Sequence, residues 1–275
     1  MPINMNLEST NQTSLSTNAA DGIRPPTEGT NQVVDKGREW IGRMTWQAGT
    51  AANETDSHFE SKLNNTYAFH SPEESSRMNC KEATILIGLS AYADSSQVNE
   101  FERELDEAKS DEINYNKTMN KILSFHNAEA KVTPSSGDVL FMFGDAHVAL
   151  ATDENNALSL WHGPSDNNHL QEVSSDQLFD LTRSDAVQYA NALKSWLYNS
   201  ETTLSSDQFH ELSNDLYDFI DDVTDERIEL TGPIHHEYIQ KFDDKLRSFG
   251  VNPLDKEVFI RVAKQPFEPL AEKSE

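Results

Sequence analysis

The spacing of apolar residues predicts helices in the first half of the chain. Apolar positions three and four residues apart predict a helical stretch from Val33 that includes Trp40, Met44 and Gln47. The same spacing predicts helices over 78–93, 101–109 and 117–126. The polar stretch 53–76 between the first two is typical of a loop.

The middle of the chain has a different pattern. The runs VLFMF, HVALAT and ALSLW are short and apolar, and Gly144, the turn sequence DENN and Gly163–Pro164 follow them in that order. Short apolar runs joined by turn residues predict an antiparallel meander of three strands. Helical spacing returns after residue 176, with helices predicted over 186–198, 206–223 and 234–249. Helices, then a small sheet, then helices indicate an α+β fold rather than alternating βαβ units.

These patterns divide the chain into three regions. Residues 1–32 are rich in Ser, Thr and Asn and show no sustained period, which predicts a disordered leader. Residues 33–175 are predicted to form the core. Residues 176–275 are predicted to be a helical C-terminal region that serves as a recognition lobe or a lid.

The composition of the leader resembles the N-terminal signals of bacterial type III secreted effectors. That resemblance implies synthesis in the bacterial cytoplasm, export without a cleaved signal peptide and delivery into a host or target cell. A secretion chaperone is then an expected partner of the leader. A flexible terminus with no role in export is the alternative.

The charge of the chain narrows the choice of partner. It carries 22 Lys and Arg against 47 Asp and Glu, a formal net charge of -25. This charge repels nucleic-acid phosphates and anionic membrane surfaces, so neither is an expected partner. No apolar run is long enough for a membrane span. A protein substrate from the host is the expected partner.

The stretch MNCKEATILIGLSAY contains the only cysteine, Cys80, where a helical pattern begins. One cysteine excludes an internal disulfide and any site of several thiolates. A helix N-terminus favours the thiolate, which is the reactive form of cysteine, so Cys80 is a candidate nucleophile. A small buried side chain without chemistry is the alternative. Phosphate-binding and dinucleotide fingerprints are absent, and we expect neither a cofactor nor a metal.

A base for such a thiol is suggested by the strand that begins at His147. The first residue of a sheet strand is rigidly held, although a structural histidine is the alternative. If Asp153 to Asn156 form the hairpin turn, Leu150 faces Ser159 and His147 faces His162. His162 would then orient His147. Asp166, just past the following turn, is the other candidate for this third position.

The sequence from Asn79–Cys80 through GDVLF to HVALAT resembles the papain-like cysteine hydrolases, in particular the bacterial NlpC/P60-type and related effector enzymes. The resemblance covers about Met78 to Trp161. It implies a papain-like core with Cys80 as nucleophile, His147 as base and His162 as the orienting residue. The Gly137–Asp138 pair before the histidine strand is a shared feature.

The chain departs from the papain pattern upstream of the cysteine. Papain-like enzymes place a Gln shortly before the nucleophile to stabilise the oxyanion, and here Asn79 and the more distant Gln47 are the candidates. The expected function is hydrolysis of an amide bond of a protein through a thioester, as a protease or a glutamine deamidase; transfer to another acceptor follows the same route. A non-catalytic acidic binding or immunity-type protein and a peptidoglycan endopeptidase are the alternatives.

Overall fold

Polar caps set where the helices begin. A computed structural model of the protein describes residues 31–50, 52, 57–64, 69–71, 73–161, 168–199 and 203–273. It opens at Asn31, whose side chain accepts a hydrogen bond from the Val33 N–H at 2.9 Å. This cap begins a helix at Gln32, a residue that the predicted leader included. The rest of that leader, residues 1–30, lies outside the described residues.

The described part of the chain contains ten α-helices. They are α1 (Gln32–Glu39), α2 (Phe59–Asn64), α3 (Cys80–Ala91), α4 (Ser96–Ala108), α5 (Glu112–Ile122), α6 (Ser175–Thr182), α7 (Ala186–Asn199), α8 (Ser206–Thr224), α9 (Gly232–Ser248) and α10 (Lys256–Phe259). Short 3-10 turns lie at Phe125–Asn127 and Glu268–Lys273. The predicted helices after residue 78 are confirmed, with shifts of a few residues at their ends.

Eight strands accompany these helices in the same ranges. They are β1 (Met44–Trp46), β2 (Ser76–Met78), β3 (Glu129–Ala130), β4 (Val139–Met142), β5 (His147–Ala151), β6 (Asn156–Ser159), β7 (Gln171–Ser174) and β8 (Ile260–Ala263). β1 and β2 pair in parallel. The other six form one antiparallel sheet in the order β3-β8-β4-β5-β6-β7. The predicted meander is therefore confirmed as β4, β5 and β6.

The central strands of the six-stranded sheet are buried on both faces. Val139, Phe141, Val148, Leu150 and Leu158 pack with α1 to α5 in what we call the first core. Their neighbours along the strands turn to the other face, because successive side chains of a strand alternate. That face packs against α6 to α10 in the second core, with members such as Leu140, Met142, Ala149, Ala151 and Ala157. The protein is a mixed α+β structure, as the sequence predicts.

One local prediction is wrong and two are incomplete. Met44 and its neighbours form β1 instead of extending the first helix, because α1 ends at Glu39 and Gly42 turns the chain with a positive φ of 78°. The predicted loop 53–76 contains α2 and the first residue of β2. The C-terminal region is not only helical, since β8 lies inside the sheet between β3 and β4. The chain thus returns to its core after the helices.

No helix in the described ranges is long and apolar enough to cross a bilayer.

Candidate active site at the start of α3

A capping box fixes the helix start that carries Cys80. The Asn79 side chain accepts a hydrogen bond from the Glu82 N–H at 2.9 Å, and Glu82 accepts one from the Asn79 N–H at 3.1 Å. The two bonds satisfy N–H groups that the helix itself leaves unpaired. Cys80 is therefore the first residue of α3, as a nucleophile at a helix N-terminus requires.

The two candidate oxyanion donors occupy different positions around this helix start. Asn79 already donates its side-chain N–H to the Gly49 carbonyl at 2.5 Å, so this group holds a neighbouring loop. Gln47 follows β1, and its backbone N–H donates to the Met78 carbonyl at 2.9 Å. The parallel pairing of β1 with β2 thus places Gln47 beside the residues that lead into Cys80. The Gln47 Oε1 atom is buried without a hydrogen-bond partner.

Cys80 is buried, with 8% of the residue exposed. Burial raises its pKa above that of a free thiol, because a charged sulfur is poorly solvated there. The opposing influences are the backbone N–H groups of Val148, Lys81 and Cys80 itself, together with the Lys81 charge, and each lowers the pKa. Burial prevails in the described conformation, so the thiol is neutral.

His147 is the first residue of β5, and it is completely buried. Its Nε2 atom lies 2.8 Å from Ser159 Oγ, and its ring packs edge-on against Trp161 with 4.1 Å between centroids. Its Nδ1 atom has no hydrogen-bond partner. Burial lowers the pKa of His147 to about 3, so the imidazole is neutral at physiological pH.

The strand register differs by one residue from the predicted one. Leu150 faces Leu158 and Ala149 faces Ser159, so continuation of this pairing sets Trp161, not His162, opposite His147. The turn is one residue shorter than predicted, because Asp153 Oδ1 accepts the N–H groups of Asn155 and Asn156 and tightens it. The pairing argument for His162 is therefore wrong. The positions of His162 and Asp166 themselves lie outside the described residues.

Ser159 is the polar residue that the structure brings to His147. It is 1% exposed and lies on the sheet face that also carries Ala149 and Ala157. In the sequence, Ser159 stands out only as the one hydroxyl residue within the apolar run ALSLW. Correct register would have identified Ser159 as a diagonal neighbour of His147 on the same face.

The thiol and the imidazole meet at the backbone of β5 but do not share a hydrogen bond. The sulfur lies beside the N–H of Val148, the residue that follows His147. His147 pairs with Met142, whose side chain belongs to the second core, whereas Cys80 belongs to the first. The two groups thus approach the start of β5 from opposite faces of the sheet. Neither imidazole nitrogen is hydrogen-bonded to the sulfur.

A buried ion pair adjoins both groups and was not found from the sequence. Lys81 Nζ lies 2.7 Å from Asp145 Oδ2, and the two side chains are 12% and 13% exposed. Lys81 follows Cys80 on α3, and Asp145 is two residues before His147 in the turn between β4 and β5. Burial alone would raise the pKa of Asp145, but the Lys81 charge and hydrogen bonds from its neighbours lower it below the ordinary value.

The Gly137–Asp138 feature has a structural explanation. Asp138 is completely buried, and its carboxylate accepts hydrogen bonds from the Ser135 N–H at 2.7 Å and the Gln265 N–H at 3.1 Å. Lys264 Nζ lies 2.8 Å from the same carboxylate. Asp138 therefore anchors the end of β8 to the start of β4 and does not contact the candidate site residues.

Among the described residues, no group of three or more His, Cys, Asp or Glu side chains is placed to bind a metal ion.

Comparison of the chain with protein-family models, with curated proteins and with solved structures found no significant match.

The contact between Ser159 and His147 gives a testable stability effect. Replacing Ser159 with Ala leaves His147 Nε2 buried without a partner, which we expect to cost about 1–3 kcal/mol of unfolding free energy. Ser90→Ala is the control, because Ser90 is half-buried and bonds only to the Ile87 carbonyl of its own helix. Urea unfolding of both variants measures the difference. Equal losses in the two variants would show that the Ser159 hydroxyl contributes nothing specific.

Proposed function

We propose that this protein is a cysteine-dependent amide hydrolase of the papain-like type, with Cys80 as nucleophile and His147 as base. One observation carries the proposal. The only thiol of the chain begins a helix and lies beside the Val148 N–H of β5, one residue along the strand from a buried histidine whose Nδ1 atom has no partner. A buried polar atom without a partner is uncommon in native structures, and a catalytic role is one explanation for it.

The surroundings of the sulfur support activation once the site admits a substrate. Burial is the largest influence on the thiol pKa, and it raises that pKa. Contact with water or a polar substrate reduces that influence, and the N–H groups and the Lys81 charge remain. These remaining groups favour the thiolate, which is the nucleophilic form. The proposed reaction also requires the sulfur and His147 Nδ1 to come within hydrogen-bond distance, through a rotation at the start of β5.

The proposed reaction then follows in two stages. His147 Nδ1 takes the thiol proton as the sulfur bonds to the amide carbon, and the carbonyl π electrons move to oxygen. The C–N bond breaks as the imidazolium returns the proton to the leaving nitrogen. A water molecule, deprotonated by His147, attacks the thioester, and the acid and the free thiol are released. The leaving group is an amine in proteolysis and ammonia in glutamine deamidation.

Three further residues support this chemistry. The N–H of Cys80 and the Gln47 side chain are the proposed donors to the oxyanion. Ser159 holds the imidazole through Nε2, the position that the family resemblance assigns to His162. When Ser159 accepts a hydrogen from Nε2, the Nδ1 atom carries the lone pair that a base needs.

A non-catalytic binding protein is the second candidate, and the buried thiol favours it. An inert Cys80 should react slowly with iodoacetamide, with a pH midpoint at or above that of an ordinary thiol, roughly 8.5. A catalytic Cys80 should react faster than denatured protein at neutral pH, and His147→Ala should slow it. Because the chain has one cysteine, intact mass reports this reaction directly.

The decisive experiment compares wild type with Cys80→Ala on a eukaryotic lysate, chosen because the leader resembles an effector signal. We expect Cys80-dependent new peptide N-termini or a gain of about one dalton at glutamines, which separates protease from deamidase. Ser90→Ala is the control variant on the same helix and should behave as wild type. Identical profiles for wild type and a folded Cys80→Ala protein would reject the hydrolase.

A further inference from the structure

The ion pair between Lys81 and Asp145 joins the two segments that carry the proposed nucleophile and base. Lys81 is the residue after Cys80, and Asp145 lies two residues before His147. The ammonium and the carboxylate are both almost completely removed from solvent. Surface pairs contribute little because water screens them, but a buried pair fixes geometry and creates a strong local field.

Asp145 is held from several sides. Its Oδ2 atom accepts Asn120 Nδ2 at 2.8 Å as well as Lys81. Its Oδ1 atom accepts Ser195 Oγ at 2.7 Å and Asn199 Nδ2 at 2.8 Å. Four donors occupy the acceptor sites of the carboxylate, so it has no capacity left to orient His147. Asp145 is instead an anchor that ties the β4–β5 turn to α3, α5 and α7.

We propose that Lys81 and Asp145 act as opposing positioning residues for the Cys80 thiol, in which Lys81 promotes its ionisation and Asp145 restrains it. The catalytic importance of this inference rests on the proposed function. The effect on the thiol follows from charge and geometry, whether or not a substrate is known.

The charges around the sulfur support these roles. Lys81 and Glu82 come from its own helix, Asp145 from the β4–β5 turn and His147 from β5. Glu82 is engaged by the Asn79 N–H and by Ser57 Oγ, and His147 is neutral. The Lys81 charge acts on Cys80, and it lowers the pKa of the thiol. The Asp145 carboxylate, 2.7 Å from the Lys81 ammonium, cancels part of that field.

The test measures how the rate of alkylation of Cys80 by iodoacetamide depends on pH, using intact mass. We expect Lys81→Gln to raise the midpoint by about 1 pH unit, since removal of a nearby opposite charge has effects of this size. We expect Asp145→Asn to lower the midpoint by a similar amount, because the full Lys81 charge then acts on the sulfur. Lys81→Arg keeps the charge and should leave the midpoint near that of wild type.

Shifts of the alkylation midpoint in opposite directions for Lys81→Gln and Asp145→Asn distinguish an electrostatic role of the ion pair from a structural one. Loss of either partner loosens the fold, which speeds alkylation at every pH but gives no reason for the midpoints to move apart. Asp243→Asn is the control, because Asp243 pairs with Arg183 at 2.6 Å with similar burial and should not shift the midpoint. Thermal melts identify variants that remain folded. If Lys81→Gln does not fold, the alkylation midpoint of Asp145→Asn is compared with that of Lys81→Arg, and a lower midpoint in Asp145→Asn is still expected.

Midpoints that shift in the same direction, or that do not shift, would overturn the inference. This outcome is independent of the lysate experiment, because alkylation needs no substrate. If the two midpoints shift in opposite directions but the lysate shows no Cys80-dependent products, the ion-pair role stands and the hydrolase proposal is rejected. If Cys80-dependent products form but neither variant shifts the alkylation midpoint, only the ion-pair role is rejected.

Discussion

Acidification from pH 6.5 to about 4 is expected to remove roughly 3 kcal/mol of stability through His147 alone, at about 1.4 kcal/mol per pH unit. The pKa of His147 is lowered to about 3 in the folded protein, against 6.5 for the free side chain. Between these values the unfolded chain binds one more proton than the folded protein, so stability falls as pH falls. The loss continues until the pH passes the folded value near 3.

The measurement compares urea unfolding of wild type and His147→Gln across this pH range. Carboxylates titrate in both proteins, so the difference between the two isolates His147. We expect this difference to decrease steadily as the pH falls from 6.5 to 4. His126→Gln is the control for loss of an exposed histidine. A pH-independent difference for His147→Gln would show that His147 is accessible to water and protons in the native state.

Replacing Gly144 with Ala is expected to cost about 3–5 kcal/mol, the sum of a backbone and a packing penalty. Gly144 lies in the β4–β5 turn with φ of 71°, a conformation that favours glycine. A Cβ at this position would lie 2.8 Å from the backbone carbonyl oxygen of Ser195 on α7. Backbone atoms cannot move aside as a flexible side chain can, so the turn that carries Asp145 must shift.

Gly250→Ala separates the two penalties. Gly250 has φ of 81°, but a Cβ there would meet no atom within 4 Å. We therefore expect it to cost only the backbone term, about 1–2 kcal/mol. Denaturant unfolding of both variants gives the difference, which measures how tightly the turn packs on α7. Equal costs would mean that α7 can move away from the turn.

Much of the fold was predictable because it depends on local spacing. Helices α3 to α5 and α7 to α9 and the strands β4 to β6 have patterns whose period matches their structure, and the helix start at Cys80 has its own capping residues. α3 was predicted from an apolar stripe, although ten of its twelve residues are buried. The sequence could not show this, because a helix buried on all sides has no polar face to define it.

Other elements could not be predicted because distant segments create them. β1 and β8 are short, and each is a strand only because another strand lies beside it, with β8 reaching β4 from the far end of the chain. The proximity of Gln47 to Cys80 arises in the same way. Short strands have little intrinsic preference, so tertiary pairing decides them.

The sequence by itself determined the α+β architecture, the meander and the two residues on which the proposed chemistry depends, Cys80 and His147. Only the tertiary structure decided their surroundings. One residue less in the Asp153 turn set Trp161, instead of His162, opposite His147 and left Ser159 as the hydrogen-bond partner of the imidazole. The fold also buried the Lys81–Asp145 pair between helices that are distant in sequence. Local periodicity encodes which face of an element is apolar, whereas register, burial and electric field depend on which segments meet.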